Sequence, residues 1–212
     1  MQTRGFSRID RFFGEIDKAI KVLTTPAHAS REAPALPAAA ALSEPQRSES
    51  VRLMRVNHAG EVAAQALYQG QALTAGDTEV AAAMHRAAAE ENDHLAWCEL
   101  RLRELKGRTS ALNPLWYAGS FAIGALAGAL GSGPSLGFVA ETERQVELHL
   151  RGHMQRLGSA DPRSRAILEQ MTHDEMRHGA AAAALGGSEL PFSLCIAMRF
   201  TAGIMTRASY WL

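Results

Sequence analysis

Apolar residues recur at helical spacing through most of this 212-residue chain, and the breaks between runs carry helix stop and start signals. In residues 4–23, Phe6, Ile9, Phe12, Phe13, Ile16, Ile20 and Leu23 follow that spacing, while Arg4, Arg8, Arg11, Lys18 and Lys21 occupy other positions. This predicts a short amphipathic helix that either packs on the main body or docks on a membrane surface or partner. Residues 24–47 are rich in Ala and Pro and read as a flexible tether. Beyond them the pattern predicts helices over Ser48–Ala75, Asp77–Lys106, Ser135–Leu157, Pro162–Leu185 and Phe192–Trp211. Gly107 closes the second and Gly186-Gly187 the fourth. The chain is therefore expected to be all-α. Residues 1–47 form an N-terminal helix and tether, and residues 48–212 form one helical domain.

Composition supports this. Apolar residues make up 47% of the chain and aromatics 6%, which suits a sizeable core of closely packed helices. The formal net charge of zero leaves no electrostatic case for a nucleic-acid partner. Two distant cysteines, Cys98 and Cys195, argue for a reducing compartment rather than a disulfide framework. The N-terminus, charged throughout residues 4–21, is not expected to act as a secretory signal.

The candidate chemistry is a pattern that occurs twice: a lone Glu, then Glu-x-x-His about thirty residues later. Glu61 precedes Glu91-Asn92-Asp93-His94 by 91 − 61 = 30, and Glu143 precedes Glu175-Met176-Arg177-His178 by 175 − 143 = 32. Residues three apart on a helix project from one face. In an antiparallel hairpin, ligands at one level must lie equally far from the turn. The midpoint of 61 and 91 is Gly76, followed by the capping residue Asp77. The midpoint of 143 and 175 is Ser159, inside Gly158-Ser159-Ala160-Asp161-Pro162. Four carboxylates and two imidazoles at one level form the ligand set of a carboxylate-bridged dinuclear iron or manganese site in a ferritin-like four-helix bundle. Two divalent cations would neutralise four carboxylates that are otherwise costly to bury.

One-residue alternatives stay open on this reasoning. Glu90 adjoins Glu91, Asp174 adjoins Glu175, and Glu147 shares a face with Glu143. His58 and His149 lie close enough in sequence to Glu61 and Glu143 to hydrogen-bond a ligand carboxylate from behind. His28, His85, His153 and His173 read as structural or exposed.

Between the second and third bundle helices, Thr109 to Ala140 contains no charged residue. The length would span a bilayer, but Gly119, Gly124, Gly128, Gly131, Gly133 and Pro134 interrupt it. A span would also separate the two ligand hairpins. The stretch is expected to be a long apolar crossover along the bundle, either buried by small-residue packing or exposing an apolar face to lipid. No nicotinamide or flavin motif appears, so electrons must come from an external donor.

The runs Arg55-Val56-Asn57-His58-Ala59-Gly60-Glu61, Asn113-Pro114-Leu115-Trp116-Tyr117-Ala118-Gly119 and Asp174-Glu175-Met176-Arg177-His178, with the Glu-x-x-His at 91–94, resemble the demethoxyubiquinone hydroxylase family over residues 45–212. The resemblance implies a di-iron monooxygenase that uses O2 to hydroxylate a polyprenylated methoxy-methyl-benzoquinol. It implies a peripheral membrane protein, expected on the cytoplasmic face of the cell membrane, working beside other ubiquinone-biosynthesis proteins. It places the metal ligands at Glu61, Glu91, His94, Glu143, Glu175 and His178, with Glu91 and Glu175 bridging two iron ions, and His149 near the site. Some relatives carry Tyr after that His; here Leu150 stands in its place. The alternative is a ferritin- or rubrerythrin-like iron oxidase or peroxide reductase, which needs the same ligands and no organic substrate.

Overall fold

A computed structural model of the chain describes residues 8–35, 37–38 and 41–212, with backbone alone for residues 8–12. Residues 4–7 of the expected N-terminal helix, Phe6 among them, lie outside the described residues. The described residues form seven helices and no strand: α1 (Arg8–Thr24), α2 (Glu44–Thr74), α3 (Thr78–Glu104), α4 (Asn113–Ala129), α5 (Ser132–Leu157), α6 (Pro162–Ala184) and α7 (Phe192–Trp211). The all-α expectation holds. α2–α3 and α5–α6 are the two hairpins of a bundle; α4 packs along α2, and α7 rests on α2 and α5.

Local chemistry explains the boundaries. Asp77 caps α3 by accepting the Glu79 N–H at 2.8 Å. Gly158, at φ 59°, ends α5 in a conformation that L-residues with a Cβ seldom adopt. Asp161 then caps α6 by accepting the Ser164 N–H at 3.0 Å and is held by Arg101 at 2.8 Å. The first bundle helix starts four residues before the expected Ser48. The Ser43 N–H donates to the Gln46 carboxamide at 2.9 Å, so a cap forms inside the Ala/Pro-rich stretch. Part of that stretch is not free of the bundle either: Ala27 and Ser30 hydrogen-bond to Glu99 and Asp93 of α3.

Two apolar clusters fill the bundle. One combines Leu53, Met54, Trp97, Leu102, Leu150, Ile167 and Met171. The other combines Leu67, Tyr68, Val80, Met84, Leu136, Val139 and Ala182. On every bundle helix the Glu and His of the repeated motif lie between the two clusters in sequence, so they form a polar layer inside an apolar column.

α4 approaches α2 backbone to backbone. A methyl group at Gly124 would come within 2.1 Å of the Leu67 carbonyl oxygen, and one at Gly70 within 2.3 Å of the Phe121 carbonyl oxygen. Side chains at those positions would force the helices apart. Trp116 and Phe121 turn inward: the Trp116 indole donates to Ser209 Oγ at 3.0 Å, and Phe121 stacks on the buried Tyr117. The outer face instead carries Leu115, Ile123, Leu126 and Leu130, the last two more than two-thirds exposed.

Candidate metal centre

Each bundle helix contributes to the polar layer. α2 supplies Glu61, α3 supplies Glu91 and His94, α5 supplies Glu143, and α6 supplies Glu175 and His178; all are buried or nearly so. Their ligand atoms fall into two groups, each lying within 4.8 Å: Glu61, Glu91, His94 and Glu175; and Glu91, Glu143, Glu175 and His178. Glu91 and Glu175 are common to both.

The imidazoles are oriented so that Nδ1 points inward. His94 Nδ1 lies 2.9 Å from Glu91, 3.2 Å from Glu175 and 3.7 Å from Glu61. His178 Nδ1 lies 3.2 Å from Glu175 and 3.3 Å from Glu91. Each Nε2 meets an outer carboxylate from the opposite helix: His94 faces Asp174 at 3.0 Å, and His178 faces Glu90 at 2.9 Å. The acids adjoining Glu91 and Glu175 therefore do not share the inner layer. They stand behind the imidazoles and direct the inner nitrogens toward the carboxylates. Glu147 pairs outward with Arg151 at 2.8 Å.

The electrostatics fit a cation site. Burial, with Glu91 alongside, raises the Glu61 carboxyl well above its ordinary range, and burial beside Glu175 does the same for Glu143. Burial disfavours charge on His94, but Glu91 and Asp174 outweigh it and raise the imidazole well above its usual value. For His178, burial is outweighed by hydrogen bonds to Glu175 and Glu91, which push it up to about 12. Burial would raise Glu91, yet the two imidazoles hold it below the usual carboxylate range. Without a cation, the protonated forms of these groups are thus favoured. Oxygens of Glu91, Glu143 and Glu175 are buried with no aligned hydrogen-bond partner, so the layer has spare ligand capacity. Oxygen-rich donors with one imidazole per group suit a pair of divalent cations.

A family described as ubiquinone biosynthesis protein COQ7 matches residues 48–209. The chain belongs to that family. A 3-demethoxyubiquinol 3-hydroxylase of Nitrosospira multiformis is 54% identical over 205 residues, covering 96% of this chain and 98% of that protein. Proteins of the same description from Nitrosococcus oceani and Nitrosomonas europaea are each 53% identical, the former covering 100% of both chains and the latter 96% of this one.

The remaining candidates occupy distinct places. His149 packs on His153 with ring centroids 3.9 Å apart, its Nε2 is buried without a partner, and burial pushes its pKa down to about 4. His153 is buried and meets Asn57 Oδ1 at 2.8 Å. His58 lies between Glu99 at 3.5 Å and Asn113 at 3.3 Å. Sequence reasoning missed the supporting role of Asp174 and Glu90, although a carboxylate one residue before each Glu-x-x-His was visible.

Proposed function

We propose that this chain is an oxygen-dependent hydroxylase of ubiquinone biosynthesis. It uses two iron ions and electrons from an external donor to add a hydroxyl group to the ring of a polyprenylated methoxy-methyl-benzoquinol. The observation that carries this reading is the pair of shared carboxylates, Glu91 and Glu175, common to both four-ligand groups of a buried layer. Relatives more than half identical along the whole chain are named for this ring hydroxylation, which favours it over a ferritin- or rubrerythrin-like activity.

Glu61, Glu91, His94 and Glu175 would hold one ion, and Glu91, Glu143, Glu175 and His178 the other. When bound, the irons supply the electron pair that dioxygen needs to oxygenate an electron-rich ring. The protein contributes position and dryness. Asp174 and Glu90 keep both imidazoles turned inward, and the two apolar clusters exclude water from either side of the layer. His149, held neutral by burial and with an unpartnered Nε2, fits a role as a neutral hydrogen-bonding group beside the site.

We also propose a peripheral position on the cytoplasmic face of the cell membrane, beside other proteins of the pathway; a polyprenyl tail that stays in lipid supports the membrane contact. No helix among the described residues is long and apolar enough to cross a membrane. The outer faces of α4 and α7 support surface contact, with Leu126, Leu130, Phe192 and Phe200 each at least 70% exposed.

The test is anaerobic loading of the purified protein with ferrous iron, then addition of reductant, a short-tailed demethoxyquinol and isotopically labelled dioxygen. Mass analysis is expected to find one labelled oxygen on the ring. An unchanged quinol beside rapid iron oxidation or peroxide consumption would return the ferritin-like alternative.

A further inference from the structure

We infer that Arg31 is a positioning residue for the His94 half of the metal centre, and that the N-terminal segment carrying it is a clasp closed over that half. This rests on the metal-centre reading above.

The segment at Ala27–Arg31 is tied to the turns of α3 that carry the centre. The Ala27 N–H donates to Glu99 at 3.2 Å, and the Asn92 carboxamide donates to the His28 carbonyl. The Ser30 N–H and hydroxyl both donate to Asp93 Oδ1, at 2.6 and 3.0 Å. These ties deliver the Arg31 guanidinium between two bundle helices. Its Nε donates to Asp93 Oδ2 of α3 at 2.7 Å, and its Nη2 to Asp174 Oδ2 of α6 at 3.0 Å. That same Asp174 oxygen receives His94 Nε2. The guanidinium also lies over the Trp97 ring, 5.1 Å from its centroid, and Trp97 contacts His94 in turn.

Asp93 and Asp174 are 1% and 5% exposed, so both need a cation at hand to remain charged. Arg177 also reaches Asp174, but from the same helix and with over half its side chain in solvent. Both guanidiniums link α3 to α6, Arg177 through Glu90, but Arg31 alone of the two reaches the buried Asp93 and the Asp174 oxygen that faces His94. The two halves of the centre thereby differ. Behind His178, Glu90 is 36% exposed and meets Arg177 at 3.3 Å. Behind His94, the carboxylate is buried and pinned. A pinned carboxylate fixes the imidazole's rotation and its inner lone pair, and a partly solvated one holds them less tightly. A guanidinium suits the task because its planar fork can serve two acids at once, which an ammonium does less well. Linkage then makes the coupling reciprocal: metal that holds His94 also holds Asp174, and so tightens the clasp.

The experiment compares wild type with Arg31→Ala, Arg31→Lys and, as a control, Arg165→Ala, whose arginine bonds Glu169 and the Met154 carbonyl near the α5–α6 turn. Each is loaded with isotopically enriched iron. Arg31→Ala is expected to lose one of its two irons to a chelator about tenfold faster, at the low end of losses for outer partners of metal ligands, while the other iron leaves at the wild-type rate. One of the two Mössbauer quadrupole doublets should shift and the other should not. Iron should slow amide exchange at Ser30 and Arg31 in wild type and cease to do so in Arg31→Ala. Arg31→Lys should fall between, and Arg165→Ala should match wild type. Equal acceleration of both irons with a fall in helix content would make Arg31 merely structural and overturn the inference. Unchanged release, spectra and exchange would overturn it too. A wild-type protein that retains no iron would instead take down the metal-centre reading, and the clasp with it.

Discussion

Iron loading should expel protons, and the number follows from the polar layer. Before metal enters, burial beside Glu91 and Glu175 favours the protonated carboxyls of Glu61 and Glu143, and the surrounding carboxylates favour the protonated imidazoles of His94 and His178. Each must give up its proton to become a ligand. Two ferrous ions bring four positive charges and displace about four protons, so the buried layer keeps the same net charge. The logarithm of the overall two-iron constant should therefore rise by up to about four per pH unit. The sign for the metal-free fold is opposite. Groups whose folded pKa lies above the unfolded one stabilise at low pH and lose that contribution as pH rises, from about 4.5 for the carboxyls and 6.5 for the imidazoles. Between pH 5 and 8 the melting temperatures of loaded and metal-free protein should thus diverge. Anaerobic calorimetric titration in buffers of different ionisation enthalpy counts the protons directly. About three to four are expected for wild type at pH 7, and about one fewer for Glu143→Gln, whose amide has no proton to release. Release below one proton, or no change in Glu143→Gln, would refute the reasoning.

Other outcomes follow from the same geometry. Glu175→Ala, which removes a carboxylate common to both groups, should abolish paired metal binding and hydroxylation, whereas Glu147→Ala should leave both nearly intact; metal analysis and product assay check this. Glu90→Ala should keep a metal pair but weaken it by about 10- to 100-fold, read by competition with a chelator, because His178 loses its outer partner. Gly124→Ala should cost about 1–3 kcal/mol, and so lower the melting temperature by about 2–12 °C, as the new methyl meets the Leu67 backbone. Replacing exposed Leu115, Leu126 and Leu130 by Ser should release the protein from lipid vesicles in flotation, while Trp116→Ser, at an inward-facing position, should perturb folding rather than binding.

The sequence by itself determined the helical class, most helix limits and the level of the six inner residues. Those features are local or periodic. Glu and His three apart must share a helix face, and ligands equidistant from a turn must meet across a hairpin. Glu-x-x-His spacing also favoured Glu91 and Glu175 over their neighbours. What those neighbours do could not be read along one helix. Asp174 serves His94, eighty residues away, and Glu90 serves His178 across the same pair of helices. Only the packing of α3 against α6 decides which acid stands behind which imidazole. Arg31 was hidden for a stronger reason: it sits in irregular chain with no period to betray it, and its partners lie 62 and 143 residues on. The start of α2 was legible in Ser43 and Gln46 but was masked by the Ala/Pro composition around it. Along α4, absence of charge marked an apolar helix, yet its outward face depended on where Gly124 and Gly128 meet α2. Close backbone approach turned Trp116 inward and Leu126 outward, because a helix exposes whatever its contact seam does not cover.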